Sequence, residues 1–141
     1  MRNKIVVVSA QEFKTIKKEL QDDDNIFWIE IDGIKCEKRK AFFDVISEII
    51  RAPIPIKGFA GYDDWMTDLS WISQEKIVFV IYRYDEFLKG DLEAKKNIIF
   101  GFTDLILPWW DTEVCYHTVG GKPRQFDVYL VFDFEKQLGQ T

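Results

Sequence analysis

Ile26-Phe-Trp-Ile-Glu-Ile31 carries apolar side chains on both faces of an extended chain, Phe27, Ile29 and Ile31 on one, Ile26 and Trp28 on the other. A strand of that kind needs cover on two sides, which helices packed over a mainly parallel sheet provide. The rest of the chain supplies such helices in alternation with strands. Ile5-Val-Val-Val8 is a short β-branched run, and Ser9-x-x-Glu12 then gives a capping box ahead of Phe13, Ile16 and Leu20 at helical spacing. Asp22-Asp-Asp-Asn25 ends that unit. From about Lys38 to Arg51, Phe42, Phe43, Ile46, Ile49 and Ile50 mark an amphipathic helix, closed by Pro53 and Pro55.

After a bend at Pro53–Gly61 comes an acidic helical stretch, then Lys76-Ile-Val-Phe-Val-Ile-Tyr82, the strongest strand pattern in the chain. One helical turn is expected near Asp85–Lys89. A longer helix is expected over Asp91–Leu107, with Ile98, Ile99, Phe102, Leu105 and Ile106 inward and Pro108 as its stop. Glu113–Thr118 reads as a possible strand of a hairpin turned by Val119-Gly-Gly-Lys122, with a surface loop as the equal alternative. Phe126–Phe132 is the last strand. Alternating strands and helices predict an α/β fold: a small, mainly parallel sheet of three or four strands with helices packed on it.

A chain of 141 residues, 47% hydrophobic and 16% aromatic, has the material for one substantial core, so one domain over residues 1–141 is expected. With 24 acidic against 19 basic side chains the net charge is −5, which argues against a nucleic-acid partner. Lysines and arginines are scattered over predicted helices, as in Lys14/Lys17/Lys18, Lys38/Arg39/Lys40 and Lys95/Lys96, and read as solvated faces. Cys36 and Cys115 are far apart and are expected to be free and buried, as in a reducing compartment. No run approaches the roughly 18 apolar residues of a membrane helix or the leader pattern of a secreted chain. A cytoplasmic protein with no membrane partner is the expectation, with a monomer as the default.

The stretch Gly61-Tyr-Asp-Asp-Trp-Met-Thr-Asp-Leu-Ser-Trp-Ile72 bears most on function. Wound as a helix at about 100° per residue, it puts Tyr62, Trp65, Met66, Leu69 and Ile72 within about 120° of arc. Asp64, Thr67, Asp68 and Trp71 fall opposite. A large aromatic among carboxylates on a solvent-facing side suits contact with a positively charged molecule. Two plainer readings stand beside this one. Carboxylates near a helix start are stabilised there by about 0.3–1 kcal/mol each, and Trp71 could tuck beneath the following loop. A divalent-ion site built on Asp63, Asp64 and Asp68 is a third reading, weakened because all three lie on one element. His117, the only histidine, has no nucleophile motif around it, and no glycine-rich phosphate loop or paired zinc spacing occurs.

The strand ending Ile31-Asp-Gly33-Ile34, the helix carrying Phe42-Phe43-x-x-Ile46, the prolines and the Asp-x-x-x-Asp-Leu-x-Trp stretch together resemble the barstar family of ribonuclease inhibitors. The later strands Ile77–Tyr82 and Phe126–Phe132, with the helix before Pro108, fit the same layout. The likeness spans roughly Phe27–Phe132, with residues 1–25 an added strand and helix. It implies a non-enzymatic immunity protein, without cofactor or metal, that blocks a basic ribonuclease-type toxin as self-protection. The resemblance assigns Asp64 as principal anchor, with Thr67 one turn along the same face and Phe59 in the approach loop; Asp68 and Asp63, which the family pattern does not require, and Trp71 are expected around it. Ala60 stands where the family often has an aspartate. A non-inhibitory interaction module on the same fold and a small carboxylate hydrolase are the alternatives.

Overall fold

A computed structural model describes residues 3–133; the outermost parts of the expected domain, residues 1–2 and 134–141, lie outside the described residues. The elements are β1 (Lys4–Ser9), α1 (Ala10–Leu20), β2 (Ile26–Asp32), α2 (Arg39–Ile49), α3 (Phe59–Met66), β3 (Lys76–Tyr82), α4 (Leu92–Gly101), α5 (Val114–His117) and β4 (Gln125–Phe132). The strands form one four-stranded, all-parallel sheet in the order β1-β4-β3-β2. The expected α/β class and parallel sheet are what the structure has.

The two faces of the sheet are covered unequally, and the strand order explains why. From β2 to β3 to β4 the chain steps one place at a time in a single direction, and α2, α3 and α4 pack on one face. From β1 to β2 it travels the opposite way, over the whole sheet. A right-handed crossover that reverses direction must also change face, and among the described residues α1 is accordingly the helix that packs on the other side. Ile29, Ile31, Phe79, Ile81 and Val128 meet Phe42, Ile46, Met66 and Phe102 in the larger core. In the smaller one Phe13 of α1 sits between Tyr82 and Tyr129, with ring centroids 5.7 and 5.3 Å away, above Val78, Val80 and Val131.

Local chemistry sets the element ends. Ser9 Oγ accepts from the Glu12 N–H at 3.1 Å while the Ser9 N–H donates to Glu12 Oε1 at 2.8 Å, the capping box read from the sequence. Such a cap contributes about 1 kcal/mol. Gly33, just past β2, lies so close to the end of β3 that a Cβ there would come 2.3 Å from the Arg83 carbonyl oxygen and 2.8 Å from that of Tyr82. Backbone cannot yield as a side-chain tip can. Gly33→Ala is therefore expected to cost about 2–3 kcal/mol in urea unfolding.

Three expectations are corrected. Pro108 does not end a helix: it has φ −63° and ψ −36°, and helical backbone continues through it to α5. The turns at Phe102–Ile106 and Trp109–Glu113 are π-type, with the Leu107 N–H bonded to the Phe102 carbonyl. A wider turn gives the pyrrolidine ring room beside the carbonyl four residues back, where an α turn would clash. Hence residues 113–118 are helical or lead out of a helix, and form no hairpin strand. Finally, both cysteines are free, but only Cys36 is buried; Cys115 is exposed on α5. Among the described residues no helix is long and apolar enough to cross a membrane.

Candidate acidic contact surface

The approach to α3 is tied down before the helix begins. Ser47 Oγ donates to the Phe43 carbonyl at 2.7 Å and accepts from the Ile56 N–H at 2.8 Å, pinning the bend onto α2. Trp65 Nε1–H donates to the Ile54 carbonyl at 3.1 Å. Inside, Tyr62 and Met66 are buried at 1% and 0% exposure, so this short helix is held by its core side rather than by its own length. Tyr62 packs on Phe42 and Phe43 at ring distances of 5.4 and 6.1 Å.

The helix stops earlier than the winding to Ile72 predicts. It ends at Met66, and Leu69 takes a left-handed φ of 50°. Terminal carbonyls find other donors at this point. Thr67 Oγ1–H bonds to the Asp63 carbonyl at 2.8 Å, Trp110 Nε1–H to that of Met66 at 2.9 Å, and Arg124 Nη2–H to those of Leu69 and Ile72, each at 2.9 Å. Leu69 and Ile72 still reach the core, as expected, but from a turn.

The six predicted contact residues divide accordingly. Asp64 is exposed on α3, opposite Tyr62, and Asp68 is exposed on the turn that follows. Asp63 is half-buried on the side of α4, where a methyl group on Gly101 would lie 4.0 Å from its Oδ1. Burial, and then the neighbouring Asp64 charge, hold the Asp63 carboxyl above the usual carboxylate range. Thr67 is half-buried with its hydroxyl proton committed to the helix end.

Trp71 and Phe59 are mainly packing residues. Trp71 leaves the helical register, donates Nε1–H to the Ile50 carbonyl at 2.6 Å and lies edge-on to Trp65. The tucked position, rather than a bare aromatic among the carboxylates, is what the chain adopts. Phe59 opens α3 with its ring edge-to-face on Phe43 and the Arg39 guanidinium 5.5 Å above it. Arg39 in turn holds Asp91 with two bonds of 2.7 and 3.0 Å.

Thus Asp63, Asp64 and Asp68, with Thr67, share α3 and its exit turn, and none of the three carboxylates forms an ion pair among the described residues. They do not converge as ligands: among the described residues no three His, Cys, Asp or Glu side chains group to hold a metal ion. Beyond Asp68 opens a cleft of about 480 Å³ between the exit turn and the 118–124 loop, floored by Trp110 and Val114. Arg124 lies along it with its guanidinium 4.8 Å over Trp110. Burial pushes the Arg124 pKa down, and the Asp68 charge partly offsets this.

The role of Arg124 and Trp110 in ending α3 was missed from sequence. The helical spacing Leu107, Trp110, Val114 was the available signal, masked by reading Pro108 as a stop. His117 stacks on Trp109, ring centroids 5.9 Å apart at 14°. Compared with known proteins, the chain matches no family model and no curated protein at a significant level.

Proposed function

We propose that this chain is a barstar-like inhibitor, an immunity protein that occludes a basic ribonuclease-type toxin by protein–protein contact along α3. The observation that carries the reading is the set of carboxylates at Asp63, Asp64 and Asp68. They stand on one short helix and its exit turn, lack ion-pair partners among the described residues, and ride on a helix whose other side is locked into the core. A backbone already held in place leaves only side-chain rotations to be lost on meeting a cationic cleft, so more of the electrostatic attraction survives as affinity. The succession β2–α2–α3–β3–α4–β4 also follows the layout that the resemblance implies.

In this reading Asp64 is the principal anchor, Asp68 the second, and Thr67 fixes the turn between them. Asp63 gains from a cationic partner, which would relieve the unfavourable burial of its charge. Trp71 and Phe59 support the surface from behind. The protein performs no catalysis, needs no cofactor, and acts in the cytoplasm of the cell that makes the toxin.

The test is inhibition of a ribonuclease encoded beside this chain's gene, followed by stopped-flow association at rising salt. Between about 0.1 M and about 1 M the Debye length shrinks from roughly 10 Å to roughly 3 Å, so the on-rate should fall several-fold or more. No inhibition, or an on-rate indifferent to salt, rejects charge-steered occlusion.

A further inference from the structure

The two edges of the sheet are protected very differently. On β2 the side chains include Glu30, held by Lys17 Nζ at 2.7 Å and by the Tyr82 hydroxyl, and Asp32, paired with Arg83. Lys17 also lies 5.6 Å over the Trp28 ring. Charges and a covering lysine of this kind discourage strand addition. On β1 the sequence is Lys-Ile-Val-Val-Val-Ser, without proline, bulge or central charge, and Val7 is 58% exposed. Among the described residues β1 pairs only with β4, so the backbone groups along its other side face outward.

We infer that two copies of this chain associate edge to edge along β1, joining their sheets into one of eight strands. A two-fold axis requires the two β1 strands to run antiparallel. An axis through Val6, perpendicular to the sheet, keeps the faces in step. Ile5 of one copy then lies opposite Val7 of the other on the face that carries α4, and Lys4 lies opposite Val8 on the face that carries α1.

Charge complementarity favours a second copy over an unrelated strand. Lys4 is exposed, points to the α1 face in register with Asp127, and has no ion-pair partner among the described residues. Glu12 stands in the first turn of α1, three residues beyond Ser9 at the opposite end of the strand. Antiparallel pairing brings each Lys4 to the end where the other copy presents Glu12. The apolar centre, Ile5 to Val8, meets itself. Since α3 belongs to the crossover between β2 and β3, at the far side of the sheet, both acidic surfaces stay free in the pair.

The decisive experiment is sedimentation velocity from micromolar to hundreds of micromolar protein, with Val7→Lys as the variant. The wild-type chain should approach twice the 16.7 kDa of one copy as concentration rises. Val7→Lys, altering a side chain already facing solvent, should stay at one copy with an unchanged circular dichroism spectrum. A wild-type chain that remains a single copy throughout, or a variant that still pairs, overturns the inference. If Val7→Lys fails to fold, hydrogen exchange on the wild type decides: β1 amides should gain protection with concentration, and concentration-independent exchange overturns it.

Discussion

Asp64→Ala combined with Asp68→Ala is expected, on the inhibitor reading proposed above, to weaken binding of the ribonuclease partner about a thousandfold while leaving the fold intact. Interface anchors commonly cost about 2 kcal/mol or more on truncation, and two of them approach about 4 kcal/mol, or three decades in Kd. The two positions are close in the chain, so the pair need not sum strictly. Neither side chain is buried or ion-paired among the described residues, so stability should move by only about 0.5 kcal/mol. Loss of charge alone must be separated from loss of these charges. Asp22→Ala with Asp24→Ala removes the same net charge from an exposed turn elsewhere and should leave the equilibrium affinity nearly unchanged. Titration calorimetry on both double variants supplies the comparison. Equal affinities would show that α3 is not the contact.

The second large effect concerns how β1 is fastened. Asn3 joins three segments: its Oδ1 accepts from the Phe126 N–H at 2.8 Å, and its Nδ2 donates to the carbonyls of Arg124 at 3.1 Å and Leu107 at 3.3 Å. Its own N–H donates to Asp111 Oδ1 at 3.1 Å. Asn3→Ala leaves one backbone donor and two acceptors to find new partners in a half-buried place. A loss of about 3 kcal/mol is expected, a fall in Tm on the order of 10 °C for a chain of this size. Asn3→Asp keeps the acceptor but sets a carboxylate oxygen against the Arg124 and Leu107 carbonyls, so it should be no milder than Asn3→Ala. Thermal unfolding by circular dichroism measures both. An Asn3→Ala loss under about 1 kcal/mol would mean that water replaces the side chain without penalty.

The strands were legible because their signal is local. The β-branched pattern marks Lys76–Tyr82 with the ends the strand has, and Ile26, Lys4 and Gln125 begin strands within a residue or so of where that patterning starts. The capping box at Ser9 and Glu12 was equally plain, since both its bonds lie within one turn. What failed depended on partners distant in sequence. The end of α3 is set by Trp110 and Arg124, more than forty residues away, so a helical wheel drawn through Ile72 had no means to detect it. The sequence around Trp71 suits surface and interior alike, and the Ile50 carbonyl, twenty-one residues away, decides between them. Helix through Pro108 escaped because the usual rule assumes α geometry, whereas the flanking turns are wider. Of the candidate contact residues, the acidic members were visible as a pattern, while the roles of the two aromatics needed the packing.

Placing β1 beside β4 makes neighbours of the first and last strands among the described residues, with Lys4 in register with Asp127. More than a hundred residues separate the two strands along the chain, so their pairing closes a long loop. Long-range closure of this sort slows folding and leaves sticky β-branched segments uncovered meanwhile. Docking of β1 is thus an entropically costly step of assembly, and Ile5–Val8 stays uncovered on its inner side until β4 is in place.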